Sequence, residues 1–141
     1  MLSHNRRPVP SAGSLLAALL LAFAVLPGEA SAQTTPLYSA VQAEEGKRVY
    51  ENACARCHDP DLSGKGDAPA LAGPYFASSW GGRKVSELVG LVSFEMPYDE
   101  AGTLDEASYL RVVAYVLSQN GIPAGKTPLA TGSAGVITLP K

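Results

Sequence analysis

The sequence predicts an all-α domain of three main helices whose loops wrap around a group held inside. Three observations carry that prediction. Apolar residues recur at helical spacing in three separate segments, and no alternating stretch is long enough to build a sheet. A Gly- and Pro-rich stretch from Asp59 to Trp80 reads as irregular loop, a length that a compact domain tolerates chiefly when the loop encloses something. Finally, 46% hydrophobic and 17% charged residues are globular values and exclude a disordered chain.

The N-terminus comes before any of these helices. Arg6 and Arg7 precede an apolar run from Leu15 to Leu26, which is shorter than the roughly 20 residues a membrane span needs. Pro27 and Gly28 end that run, and Ala30-Ser31-Ala32 follows as a small-x-small cleavage pattern. Residues 1–32 therefore read as a secretory signal cut after Ala32, with an uncleaved membrane anchor as the alternative. Pro8 and Pro10 fit twin-arginine export poorly, so the general secretory route into the periplasm is expected. Cleavage leaves nine Lys and Arg against twelve Asp and Glu, one histidine (His58) and one methionine (Met96). Such a mildly acidic chain, without a basic run, excludes a nucleic-acid surface.

In the first helix Gly46, Tyr50, Ala53 and Cys54 share a face, and the early acids Glu44 and Glu45 are expected to favour the helix dipole. The second spans about Lys84 to Ser93, where Val85, Leu88, Val89 and Val92 repeat at i, i+3, i+4 and i+7. The third spans Glu106 to Gln119. Asp105 is its expected N-cap, Leu104 and Tyr109 its hydrophobic staple, and Thr103 with Glu106 a competing capping box. Asn120-Gly121 supplies the C-cap and Pro123 blocks continuation. Residues 33–124 form the expected domain, and 125–141 an extended tail that adds little core.

Cys54-Ala55-Arg56-Cys57-His58 is C-x-x-C-H, the attachment sequence of a c-type haem. Residues i and i+3 share a helical face, so both thiols reach the two vinyl groups on one side of the porphyrin. His58, next along, then serves as the proximal iron ligand. Zinc would need four Cys or His ligands, and residues 33–141 hold three. A thioredoxin-like pair would need a β-α-β context that is missing, and a plain disulfide leaves the adjacent His without a reason. One haem c per chain is expected, bound through two thioethers.

Met96 leads as sixth ligand, since a second histidine is lacking and Pro97 stiffens the loop beyond the second helix. A thioether favours iron(II) and suits an electron carrier. Two alternatives stay open. Met96 can be core filler, as a lone Met on the last turn of an amphipathic helix commonly is, or the iron can keep an open site for a gas or peroxide.

From about Tyr38 to Ala124 the chain resembles the class I c-type cytochromes. Gly46 and Tyr50, with Val112 and Tyr115, match the positions where such cytochromes cross their N- and C-terminal helices. Pro69-Ala70-Leu71-Ala72-Gly73 resembles the family's proline segment, which implies that the Pro69 carbonyl accepts the Nδ1–H of His58. Trp80 resembles a tryptophan packed against the haem, which implies a haem contact. Met96-Pro97 followed by Tyr109 through Gly121 is especially similar to cytochromes that accept electrons from quinoprotein alcohol dehydrogenases. The chain departs from lysine-rimmed mitochondrial carriers: Asp99 and Glu100 follow Met96, whereas Arg56 and Lys65 read as solvated.

The function expected is one-electron transfer between periplasmic redox proteins, with no substrate chemistry of its own, since His58 is occupied and no second His supplies a general base. The donor expected is a quinoprotein dehydrogenase, and the acceptor a terminal oxidase or another cytochrome. After signal cleavage no integral membrane segment is expected. The alternatives are a peroxidase or gas sensor with a dissociable sixth ligand, and a fixed electron-accepting subunit of a larger dehydrogenase.

Overall fold

A computed structural model of the chain describes residues 35–140. The predicted signal, residues 1–32, lies outside them. The order is α1 (Ala40–Ala53), α2 (Ala55–His58), α3 (Pro74–Trp80), α4 (Val85–Glu95) and α5 (Glu106–Gln119). Among the described residues the only β pairing is three isolated bridges, so the fold is all-α. None of the described helices is long and apolar enough to cross a membrane.

The packing of α1 against α5 dominates the core. A Cβ at Gly46 would stand 1.9 Å from the Arg111 carbonyl oxygen, so only glycine lets the two backbones approach this closely. Tyr50 and Tyr115 pack beside that crossing with ring centroids 5.3 Å apart, and Val112 lines a cavity described below. Ser39 caps α1 through the Gln42 amide. Glu44 and Glu45 fall beyond the first turn of α1, where the dipole is weak, so the expected dipole benefit is not realised; Glu45 instead pairs with Arg111 of α5.

Helix α5 has the predicted ends. Asp105 accepts the Ser108 amide at 2.7 Å, which settles the competition with Thr103 in favour of Asp105. At the other end the Ile122 amide donates to Leu117 O and the Gly121 amide to Ser118 O, a Schellman closure.

Two readings change. The stretch read as loop through Trp80 contains α3, opened by Pro74 in the first turn, where its missing N–H costs nothing. The signal was Pro74 just before Phe76 and Trp80, four residues apart; Phe76 is buried. The second change concerns the tail, which is extended but far from idle. Leu129 and Ile137 are fully buried, and Gln42 clamps Leu129 with both of its amide groups, at 2.9 and 2.8 Å. The Ile137 amide donates to Arg83 O and the Gly82 amide to Ile137 O, both at 2.9 Å, which seats the tail on the turn between α3 and α4. Helical periodicity cannot reveal such residues, because each is buried by a distant partner and not by its own repeat.

Candidate functional site

The C-x-x-C-H segment does not simply end the first helix. Cys54, at φ −117°, ψ −35°, distorts the helix where α1 gives way to α2, although its amide still donates to Tyr50 O at 2.8 Å. Cys54 O still accepts the amides of Cys57 and His58 at 3.1 and 3.0 Å, which keeps the two thiols one helical turn apart. Neither cysteine is in a disulfide. Burial pushes the Cys54 thiol up to about 11, with the neighbouring Cys57 adding to the rise and Arg56 opposing it.

His58 is buried, and Asp59 after it takes φ 61°, a conformation costly for a residue with a side chain. Tyr50 holds that turn: its buried hydroxyl lies 2.7 Å from Asp59 O and 3.3 Å from His58 O. Burial also raises the Tyr50 pKa, so the phenol stays a donor. The His58 ring is fixed from the other side. Its Nδ1 lies 2.8 Å from Pro69 O, and since a carbonyl only accepts, Nδ1 carries the proton and Nε2 is left for a metal. The loop that presents Pro69 folds tightly around Gly64, at φ +79°, where a Cβ would meet Ala68 O at 2.6 Å. Asn120 secures the far end of that loop, donating to Leu71 O at 2.9 Å and accepting the Gly73 amide at 3.1 Å. The sequence showed Asn120 only as a cap.

A cavity of about 590 Å³ is lined by Cys54, Cys57, His58, Pro69 and Met96, with Arg56, Lys65, Asp67 and Asp99 among its polar residues. A second, of about 260 Å³, shares His58, Pro69 and Met96 and is walled by Leu71, Phe76, Trp80, Val112 and Val113. All six residues singled out in the sequence thus line one or both of these spaces. Trp80 also carries the Arg83 guanidinium 4.3 Å above its ring.

Met96 terminates α4 and is half-buried. Tyr109, expected as a staple, does more: its buried hydroxyl donates to Met96 O at 2.9 Å and accepts the Leu104 amide at 3.2 Å. The rim also differs from expectation. Arg56 is not simply solvated but pairs with Asp99, and Glu100 does not line the cavity, so the rim is not acidic. No spacing rule links residues 43 apart, which is why the pair was invisible in the sequence.

A family model described as cytochrome c oxidase, cbb3-type, subunit III matches residues 41–116. The chain belongs to that family. It is accordingly a cytochrome c domain, which implies a covalently bound haem c and haem-based electron transfer. Among solved structures this cytochrome is similar to the sulfane dehydrogenase SoxCD from Paracoccus pantotrophus, at 26% identity and a TM-score of 0.51. The match covers 64% of this chain and 48% of that one, so the cytochrome spans less than half of its neighbour's length. No curated protein matches it.

The residues fit a haem. Two unpaired thiols a turn apart, an imidazole whose Nδ1 is already engaged and a thioether all line the larger cavity, whose volume of about 590 Å³ falls within the roughly 300–1,000 Å³ of cofactor sites in general. Among the described residues no group of three or more His, Cys, Asp or Glu could hold a bare metal ion.

Proposed function

We propose that this cytochrome is a periplasmic one-electron carrier, with one haem c attached to Cys54 and Cys57 and ligated by His58 and Met96. The observation that carries the reading is the convergence of those four side chains on one cavity while Pro69 engages the far side of the His58 ring. Bound haem supplies the one-electron couple of its iron.

The chain's own residues do the rest. Pro69 O holds the Nδ1 proton, which fixes the His58 tautomer and makes Nε2 a stronger donor. The Met96 thioether favours iron(II) and so raises the reduction potential. The walls at Leu71, Phe76 and Val113 exclude water, which disfavours the more highly charged oxidised state, and Trp80 closes the same side. The signal reading of residues 1–32 supports export by the general secretory route.

The donor in this reading is a dehydrogenase, a quinoprotein enzyme by the similarity of the Met96–Gly121 segment, and the acceptor a terminal oxidase or another cytochrome. A second reading has the domain as a fixed subunit within a dehydrogenase, and the similarity to part of SoxCD supports it. Sedimentation of the protein from its native source separates a free carrier from a fixed subunit.

The deciding experiment is the optical spectrum of the holoprotein in both redox states, with and without carbon monoxide, for the parent and Met96→Ala. The parent is expected to be low-spin, to show a weak sulfur-to-iron band when oxidised and to resist carbon monoxide. Met96→Ala is expected to lose that band, bind carbon monoxide and fall in potential. A parent that binds carbon monoxide readily would favour the gas- or peroxide-binding alternative, and an unchanged Met96→Ala spectrum would make Met96 core filler.

A further inference from the structure

The loop that follows Met96 is tied at three points, Met96 O, the Leu104 amide and Asp99, by Tyr109 and Arg56, neither of which is a ligand. At its base the Tyr109 hydroxyl joins both ends of the 96–104 segment, donating to Met96 O and accepting from the Leu104 amide. Toward its tip, Asp99 pairs with Arg56. Arg56 is the second variable residue of C-x-x-C-H, so this pair connects the haem-attachment turn directly to the Met96 loop. Both partners line the larger cavity, at whose wall the loop stands. Within the loop the Glu100 amide donates to Pro97 O and Thr103 Oγ1 to Glu100 O, which braces the segment internally.

The geometry points to a latch: Arg56, Asp99 and Tyr109 are positioning residues that hold the Met96 loop shut and set how readily Met96 yields its place to another ligand. The proposal rests on the reading of Met96 as axial ligand. Where a site is open only part of the time, the apparent affinity of an incoming ligand is its intrinsic affinity multiplied by the open fraction. A weakened latch therefore appears directly as tighter binding of an exogenous ligand. The Arg56–Asp99 pair is half exposed, at 51% and 57%, so its share is modest, about two- to fivefold in the open fraction. Tyr109 itself is buried and its two bonds are part-buried, and their loss is expected to be worth about two- to tenfold.

Imidazole is the probe, titrated into the oxidised holoprotein and followed by its spectrum, with thermal unfolding measured alongside. Asp99→Asn and Tyr109→Phe are expected to bind imidazole more tightly by those factors, Asp99→Lys more tightly than Asp99→Asn, and Asp99→Glu close to the parent. Arg56→Gln combined with Asp99→Asn is expected to match Asp99→Asn alone, because the second change breaks nothing further. Added salt is expected to tighten imidazole binding in the parent and not in Asp99→Asn. A purely structural role would lower the unfolding temperature and leave imidazole affinity untouched; that outcome, or factors that multiply in the double variant, overturns the latch. If Met96→Ala itself keeps the parent spectrum, the ligand reading has failed and the latch with it. If Met96→Ala opens the iron while Asp99→Asn and Tyr109→Phe leave imidazole binding unchanged, the latch alone is wrong.

Discussion

Gly46→Ala is the smallest substitution that interrogates the helix crossing beneath the site. The new methyl would sit 1.9 Å from Arg111 O and 3.0 Å from Tyr115 Cβ. An unstrained carbon-to-carbonyl contact needs about 3.3 Å, so the helices must part locally by something over 1 Å. The obstacle is backbone, which cannot rotate aside as a side chain can. Separation on that scale forfeits roughly a quarter to a half of the dispersion energy of the facing atoms, Tyr50 and Tyr115 among them. Overpacking of this kind costs about 1–3 kcal/mol and at times more, and the better helix propensity of Ala returns about 1 kcal/mol. With so close an obstacle the upper part of that range applies, for a net loss of about 2 kcal/mol. At about 4–8 °C per kcal/mol for a domain near this size, the midpoint falls by roughly 10 °C. Far-UV circular dichroism of the holoprotein during heating measures it. A midpoint equal to the parent's, or higher, would show that α1 and α5 do not meet at this glycine and would refute the packing argument.

The remaining expectations test other parts of the molecule. Ile137→Ala deletes a fully buried side chain of the tail and is expected to cost about 2–5 kcal/mol in urea unfolding; an unchanged midpoint would return the tail to the status of an appendage. Asp105 has its pKa held below the usual carboxylate value, first by the Ser108 amide and then by the Ser108 hydroxyl. A depressed folded pKa means its contribution is complete above the unfolded value of about 3.9 and is lost as pH falls through the lower folded one. Since Asn caps as well as Asp, Asp105→Asn is expected to leave the thermal midpoint at pH 7 unchanged and to flatten its decline below about pH 4; an equally steep decline would show that the acid loss arises elsewhere. Finally, the rim sets Arg56 and Lys65 against Asp67 and Asp99, two charges of each sign, so the second-order rate with a redox partner is expected to change little as salt shortens screening to about 10 Å at 0.1 M. A steep rise or fall in stopped-flow mixing would mean that charges outside this rim steer the encounter.

What the sequence determined by itself is what neighbouring residues decide among themselves. The C-x-x-C-H turn, the bounds of α5 and the Asp105 and Gly121 caps rest on interactions within one or two turns, so their signals are written in consecutive residues. The prolines and glycines before α3 were legible too, but as loop markers, because Pro74 opens a helix with a fixed φ that suits the first turn, whereas the same ring, lacking an N–H and clashing with the preceding turn, breaks a helix further in. Only the tertiary structure decided the rest. It set Met96 on the cavity that His58 lines, gave its carbonyl to Tyr109 across 13 residues, and joined Arg56 to Asp99 across 43 and Asn120 to Leu71 across 49. It also buried Leu129 and Ile137 in what reads as a featureless tail. Those contacts arise because burying apolar surface and satisfying buried polar groups constrain the whole chain at once, and no local pattern encodes which distant partner will meet the demand.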